Sequence, residues 1–197
     1  MHPRGDRPPR VSRVQDEGRS SLHRDAVVEA AVRVLADRGV AGLSDHAVDA
    51  ECALPAGTTR TFFPDLPSLV TAIVDDLIRR DGEIWTSLGS LTPTSVADFA
   101  DRIAGWVERA LADLVGARAR IQLFLGAPER AAAGHAAILE VLVVVLDVLR
   151  VPQPHDRGRL VVDLVSGTVL HHGSVRRSEP FDPPTFAAGV RRLLAAR

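Results

Sequence analysis

Apolar residues recur at helical spacing along most of this chain, and short polar or proline-containing breaks separate the periodic stretches. Val27, Ala30 and Val34 lie three or four positions apart in a stretch that predicts a helix over residues 21–38. Gly39 follows at the position where a left-handed residue often ends a helix. Similar spacing continues beyond residue 95, and no stretch alternates as a half-buried strand would. The pattern therefore predicts an all-α protein.

Three short helices are predicted close together near the N-terminus. After the first, Ser44 is in position to cap a second helix that runs to about residue 51. Pro55 suits the first turn of a third helix over residues 55–62, and Asp65 then caps a fourth. This arrangement is typical of a helix-turn-helix, whose last helix lies in the major groove of DNA.

The third helix carries side chains that suit contact with DNA. Threonine hydroxyls can reach phosphates and threonine methyls can touch thymine, while Arg60 can bind a guanine or a phosphate. Phe63 is the natural anchor of this helix in the core. The residues predicted to contact DNA are Ser44, Pro55, Ala56, Thr58, Thr59, Arg60 and Thr61. A small helical domain in which these side chains are only solvated is the alternative interpretation.

A series of short motifs runs in a fixed order through residues 24–77. They are Ala30-Ala31, Arg38-Gly39, Ser44, Leu54-Pro55-Ala56-Gly57-Thr58-Thr59, and Phe63-Pro64-Asp65 before Leu69. In this order they resemble the DNA-binding domain of the TetR/AcrR family of regulators. The resemblance implies a homodimeric transcription regulator, by default a repressor, that is released from a palindromic DNA operator when a small effector binds.

Several positions depart from the family pattern. Cys52-Ala53 stands where the family commonly has Ala-Gly, so the turn lacks that glycine. Three positions that tend to hold DNA phosphates in the family carry other residues: Arg60, Phe62 and Leu66. Acidic residues, which oppose DNA binding, also lie on the second helix: Asp45, Asp49 and Glu51. These departures leave open an alternative function, a helical ligand-binding or protein-interacting dimer with weakened or lost operator recognition.

The chain divides into three predicted segments. Residues 1–20 contain several arginines, prolines and glycines but few apolar residues, which predicts a disordered basic arm. Residues 21–66 form the predicted helix-turn-helix domain, with the motif itself at about 44–63. Residues 67–197 form a helical domain for effector binding and dimerisation. Its long apolar helix, from Pro128 to about residue 150, is predicted to be buried on most sides.

The resemblance places a small-molecule site among the middle helices and a pairing surface on the last two long helices. The residues predicted to line the effector pocket are Phe99, Ile103, Trp106, Phe124, His135 and Leu139. Because apolar residues predominate among them, the effector is expected to be mostly hydrophobic. The residues predicted for the dimer interface are Leu160, Leu164, Val169, His171, Phe186, Val190 and Leu194. The alternative interpretation is that some of these residues pack within one chain, and the two interpretations are compatible.

Composition argues against several classes of function. Apolar residues make up 46% and charged residues 25%, as in soluble globular domains, and the net charge of -1 gives no general attraction to nucleic acid. A single cysteine, Cys52, excludes an internal disulfide framework. His171 and His172 point about 100° apart on a helix, without a cysteine or carboxylate pair to complete a metal site.

Other signals that the sequence lacks bear on where the protein resides and on whether it is an enzyme. The sequence shows no Gly-rich phosphate loop, no nucleophile paired with a base, no secretory signal and no uninterrupted membrane-length apolar run. We therefore expect a cytoplasmic protein that is not an enzyme, does not contact the membrane, and carries no cofactor and no metal.

Overall fold

The structure, a computed structural model, describes the backbone of residues 10–89 and 92–195 and the side chains of that range from residue 21 onward. Its helices are α1 (Arg10–Arg38), α2 (Asp45–Cys52), α3 (Thr58–Phe62), α4 (Leu66–Ser87), α5 (Val96–Ala112), α6 (Leu114–Gly126), α7 (Pro128–Val148), α8 (Pro154–Gly173) and α9 (Pro183–Ala195). A 3₁₀ turn over Val40–Gly42 joins α1 to α2. These residues contain no strand, which confirms the predicted all-α class for the described part of the chain.

Helix α1 begins at Arg10, well before the predicted start at residue 21. Residues 10–20 contain no proline, and only Gly18 is clearly unfavourable inside a helix, by about 1 kcal/mol relative to alanine. The prediction of a disordered arm is therefore wrong for residues 10–20, while residues 1–9 lie outside the described part of the chain. The other end of α1 agrees with the prediction, because Gly39 takes a left-handed φ of 68° directly after Arg38.

A first hydrophobic core joins α1, α2 and the end of α3 to one side of α4. Leu35 is fully buried in this core, and Phe63 is only 4% exposed, which confirms its predicted role as an anchor. Ala119 and Leu123 of α6 belong to the same core. Because this core also includes α4 residues as far as Leu77, it extends beyond the predicted domain boundary at residue 66, where α4 begins.

A second hydrophobic core lies between α5, α7, α8 and α9. Phe99 of α5, Leu146 of α7, Val161 of α8 and Val190 of α9 are all buried in it. Helix α9 packs along α5, and α8 packs against α7. Helix α6 contacts α1 on one side and α7 and α8 on the other. Helices α4 and α6 therefore connect the part of the protein that holds the helix-turn-helix to the helices behind it.

Helix α7 is much more exposed than its apolar sequence predicts. Only Leu142 and Leu146 are buried, whereas four aliphatic side chains are 47–66% exposed: Ile138, Val141, Val144 and Val148. We call these four residues the α7 strip. The prediction that this helix is buried on most sides is wrong for a single chain, because α4, α6 and α8 cover only part of its circumference. By length and composition α7 would also qualify as a membrane-spanning helix, a criterion that apolar helices of soluble proteins meet as well.

Candidate nucleic-acid interface

The turn between α2 and α3 forms without the glycine that the family commonly has. Ser44 caps α2 as predicted, since its Oγ accepts the N–H of Ala47 at 3.3 Å. At the other end of α2, Ala53 takes the left-handed conformation, with φ 55° and ψ 35°. An alanine there is strained, because its Cβ approaches the following carbonyl oxygen. The turn is therefore made at a conformational cost that a glycine would remove.

Helix α3 begins at Thr58, three residues after the predicted start at Pro55, because Asp49 organises its first turn. One carboxylate oxygen of Asp49 accepts the N–H of Gly57 at 2.7 Å. The other accepts both the N–H and the hydroxyl of Thr59, at 2.7 and 2.6 Å. Gly57 has a φ of 89°, and the segment before it forms a turn instead of a helix. Asp49 thus acts as a helix cap supplied by a neighbouring helix.

The environment of Asp49 keeps its carboxylate ionised. Burial raises the pKa of this carboxyl, but the hydrogen bonds from Thr59 and Gly57 outweigh burial and hold the pKa below its ordinary value. Sequence reasoning missed this role because it treated Asp49 only as one charge of an acidic helix. A signal was present, since Asp49 precedes Cys52 by three residues and so shares the inward side of α2 with it.

The residues predicted to contact DNA differ in how exposed their side chains are. Five of them have exposed side chains: Ser44, Pro55, Ala56, Arg60 and Thr61. Thr58 is half-buried, and its hydroxyl donates to the carbonyl oxygen of Pro55 at 2.6 Å. Thr59 is fully buried and bonded to Asp49, so the prediction that it contacts DNA is wrong.

The acidic residues of α2 do not form an unpaired negative surface. Asp45 accepts from the guanidinium of Arg60, with Nε–Oδ2 and Nη2–Oδ2 distances of 2.9 and 2.8 Å. Glu51 accepts from Nε of Arg33 at 2.8 Å. Together with the inward position of Asp49, these ion pairs offset much of the electrostatic opposition to DNA that the sequence predicts.

Helix α3 is also anchored at its C-terminal end. The guanidinium of Arg24 lies over the Phe63 ring, 5.0 Å from its centre. Asp65 caps α4 as predicted, since its carboxylate accepts the N–H of Ser68 at 2.8 Å. Phe62 is half-buried against the first core and so contributes packing where the family commonly has a histidine. Helix α3 is therefore held at both ends, while Arg60 and Thr61 face solvent.

A polar cluster ties α4 to the helices behind the helix-turn-helix. Arg120 of α6 donates to the carboxylate of Asp81 on α4, and the indole N–H of Trp106 donates to the carbonyl oxygen of Asp81 at 3.3 Å. Burial raises the pKa of the Asp81 carboxyl above its ordinary value, although Arg120 opposes this shift. Nη1 of Arg120 is buried and has no hydrogen-bond partner among the described residues. Because Arg120 bonds to Asp81, a shift of α6 would act directly on α4.

Helix α6 also lies close to the end of α1. A Cβ atom on Gly126 would come within 2.7 Å of a Val40 side-chain carbon, so only glycine permits this approach. Arg118 of α6 pairs with Asp37 of α1 at 3.3 Å. Helix α6 is thus in contact with both α1 and α4, the two longest helices of the first core.

The structure places the predicted effector residues in different surroundings. Phe99 and Ile103 are buried within the second core, and Leu139 is half-buried against it. Trp106 is half-buried in the α4–α6 cluster, whereas Phe124 is 50% exposed on α6. Phe99 packs against Trp85, with ring centres 6.4 Å apart, so its contacts are those of a core residue.

His135 lies in a different and more polar place. It lines an open groove of about 480 Å³ between α7 and α8, together with Arg159, Leu160 and the carboxylates of Asp156 and Asp163. This lining is mainly charged, in contrast to the apolar pocket that the sequence predicts.

The predicted dimer residues also separate by exposure. Leu160 and His171 are exposed on α8, and Leu164 and Phe186 are half-buried. The remaining three are buried within one chain, with 0–5% exposure: Val169, Val190 and Leu194. These three residues pack within the chain, as the alternative interpretation expects.

Comparison with known proteins identifies the fold. The chain matches no protein-family model, and no curated protein sequence matches it. Among solved structures it is similar to a TetR-family member from Streptomyces coelicolor A3, with 23% identity and a TM-score of 0.73 over 88% of this chain and 99% of that one. The fold is that of the TetR-family regulators. The resemblance seen in residues 24–77 is thereby confirmed at the level of the fold.

Two further TetR-like structures were solved with ligands. The multidrug binding protein EbrR, complexed with malachite green, is 19% identical with a TM-score of 0.70, over 88% of this chain and 98% of EbrR. The transcriptional regulator FadR from Bacillus subtilis, in complex with stearoyl-CoA, is 12% identical with a TM-score of 0.70, over 86% of this chain and 97% of FadR. Because each neighbour is covered almost completely, the TetR-family fold extends through both hydrophobic cores of this chain.

Proposed function

We propose that this chain is a TetR-family transcriptional regulator that binds double-stranded operator DNA as a homodimer. The observation that carries the proposal is the surface of α3 and of the turn before it: Arg60 and Thr61 of the helix and Ala56 of the turn face solvent, and Asp49 and Phe63 hold the helix in place. Small residues beside one arginine leave room for the helix to enter a major groove. By family analogy the protein acts as a repressor in the cytoplasm and has no catalytic activity.

Dimerisation follows from the way in which such proteins read DNA. Two copies of α3 must lie about 34–36 Å apart to enter successive major grooves, and a two-fold axis between them favours a palindromic operator. The regulator therefore needs a surface on which a second copy can pair.

The pairing surface that we propose combines the α7 strip with exposed residues of α8. The α7 strip and the 51%-exposed Leu160 together offer roughly 500 Å² of apolar surface, a large patch for a monomer. A stable interface covers about 800 Å² on each partner, and somewhat more than half of that area is apolar. Besides Leu160, three other predicted interface residues remain part of this proposal: the exposed His171 and half-buried Leu164 of α8, and the half-buried Phe186 of α9.

Charges beside the apolar surface also suit pairing with an identical copy. Arg159 and the carboxylates of Asp156 and Asp163 line the same groove. A two-fold interface brings one surface against itself, so it needs both members of an ion pair on that surface. This groove supplies both signs of charge.

A small, mostly apolar effector is the proposed signal that releases the DNA. The malachite green bound by EbrR and the stearoyl-CoA bound by FadR support a ligand-responsive role for this fold. We propose that the effector binds among the helices behind α4 and acts through α6, whose Arg120 holds Asp81 of α4. Movement of α4 would change the separation of the two α3 helices and so the affinity for the operator.

A gel-shift titration against the DNA upstream of the gene, repeated over a salt series, tests the proposal. We expect specific binding that weakens steeply with salt, and Arg60→Ala should weaken it by about 1–3 kcal/mol if Arg60 contacts a base. Arg118→Ala is the matched control, because it also removes an arginine paired with an aspartate, but on α6.

Two results would contradict parts of this proposal. Equal affinities of the Arg60→Ala and Arg118→Ala variants would remove Arg60 from the interface. Absence of specific binding even at low salt would favour the alternative, a helical ligand-binding or protein-interacting dimer without operator recognition.

A further inference from the structure

The ion pair between Asp45 and Arg60 has a geometry that bears on which base the protein reads. We infer that Asp45 is a specificity-determining positioning residue, which orients the Arg60 guanidinium so that its outer edge reads a guanine. This inference rests on the proposed function, because it assumes that α3 enters a major groove.

The distances define which edge of the guanidinium is occupied. Nε and Nη2 of Arg60 lie 2.9 and 2.8 Å from the same oxygen, Oδ2 of Asp45. A guanidinium has five N–H donors, and this pairing engages its Nε–Nη2 edge. The Nη1–Nη2 edge remains outside the ion pair. That edge carries two parallel donors, which match the adjacent O6 and N7 acceptors of guanine in the major groove.

The backbone at both members of the ion pair is held by the surrounding structure. Asp45 is the first residue of α2, directly after the cap at Ser44, and its side chain is only 26% exposed. Arg60 lies in the middle of α3, whose start is held by the carboxylate of Asp49. The Arg60 side chain is itself 73% exposed, so its outer part can reach a ligand.

Holding Arg60 before binding has a thermodynamic consequence. A free arginine side chain loses rotamer freedom when it is immobilised at an interface, and an ion pair formed in advance removes part of that loss. The same carboxylate also carries a negative charge toward the DNA, which opposes attraction to phosphates. Asp45 should therefore strengthen recognition of one base while weakening binding to DNA in general.

These two effects have opposite signs, so they can be separated. Removal of Asp45 should raise the affinity for unrelated duplexes severalfold and leave the salt dependence of that affinity at least as steep. It should lower the preference for a guanine over other bases at one operator position by about three- to tenfold. A residue that only added negative charge near the DNA would change both affinities in the same direction and by the same factor.

The experiment uses the full-length protein and a duplex selected from a randomised DNA pool. Each guanine of the selected duplex is replaced in turn by 7-deazaguanine, which lacks the N7 acceptor. Binding is measured by fluorescence anisotropy for wild type, Arg60→Ala, Asp45→Ala and Asp45→Asn. Glu51→Ala is the matched control, since it removes one negative charge from α2 together with the ion pair to Arg33, away from Arg60.

The inference requires one guanine at which wild type loses affinity on deaza substitution and Arg60→Ala does not. At that guanine Asp45→Ala should show a three- to tenfold smaller discrimination, and Asp45→Asn, which keeps an oxygen acceptor, should retain more of it. Glu51→Ala should discriminate as wild type does. Thermal melts of each variant establish that the fold is retained.

Different failures identify different errors. If no duplex is enriched from the pool, the proposed function is wrong and the inference falls with it. If a duplex is enriched but Asp45→Ala and Glu51→Ala change all affinities by the same factor, the protein reads DNA without help from Asp45, and the inference alone is overturned.

Discussion

The carboxylate of Asp49 accepts three hydrogen bonds at the start of α3, and its removal should destabilise the helix-turn-helix. Gly57 is exposed, so water can replace the carboxylate at its N–H. Thr59 is fully buried, and Asp49→Ala would leave its N–H and its hydroxyl without this acceptor. An unsatisfied buried donor costs about 1–3 kcal/mol. We therefore expect Asp49→Ala to lower the free energy of unfolding by about 3 kcal/mol.

Urea titration followed by circular dichroism measures this loss, and the melting temperature should fall by about 6–12 °C. Glu51→Ala on the same helix is the control, because its exposed ion pair with Arg33 is worth at most about 1 kcal/mol. Asp49→Asn keeps one acceptor oxygen but places an NH₂ group against a donor, so an intermediate loss is expected. Equal stability of Asp49→Ala and Glu51→Ala would refute the capping role.

The pH dependence supplies a second check on Asp49. Its pKa is lowered in the folded protein, so its contribution to stability is complete above the ordinary value of 3.8 and is lost as the pH falls through the lowered value. The difference in stability between wild type and Asp49→Ala should stay constant from pH 7 to about 4.5 and shrink in more acidic solution. A difference that shrank on the alkaline side of neutrality would point to another titrating group.

The remaining predictions concern the turn and the pairing surface. Ala53→Gly should raise the free energy of unfolding by about 0.5–1 kcal/mol, because it relieves a left-handed alanine, whereas Ala50→Gly inside α2 should lower it by a similar amount. Urea titration measures both, and a loss at Ala53→Gly would show that the turn is not strained. Val144→Glu in the α7 strip should give monomers by sedimentation, while Leu125→Glu, at a still more exposed position on α6, should leave the dimer intact. A dimeric Val144→Glu protein would place the interface elsewhere.

Local signals in the sequence were sufficient for much of the architecture. Apolar periodicity located most of the helices, and the caps at Ser44 and Asp65 follow from residue types that bond their own helix termini. The α1 start was missed because composition near the terminus resembles that of disordered chains, although residues 10–20 contain no proline.

Features that depend on contacts between residues far apart in the sequence could not be predicted from local signals. The start of α3 depends on Asp49, which lies on another helix. The helix-starting propensity of Pro55, on which the prediction is based, contains no information about that contact. The burial of Thr59 follows from the same contact. The exposure of α7 could not be predicted either, since an apolar helix that packs inside one chain has the same composition as one that meets a second chain.

The position of α6 limits where this protein can be truncated without exposing its hydrophobic core. Ala119 and Leu123 complete the hydrophobic core around α1 and α4, so a fragment that stops within α4 would leave apolar surface uncovered. We therefore expect that residues 21–66 would not fold stably if they were fused to an unrelated domain. A chimera that keeps the proposed DNA-binding helices would therefore also have to keep α6, which couples the proposed effector-binding part to them during folding.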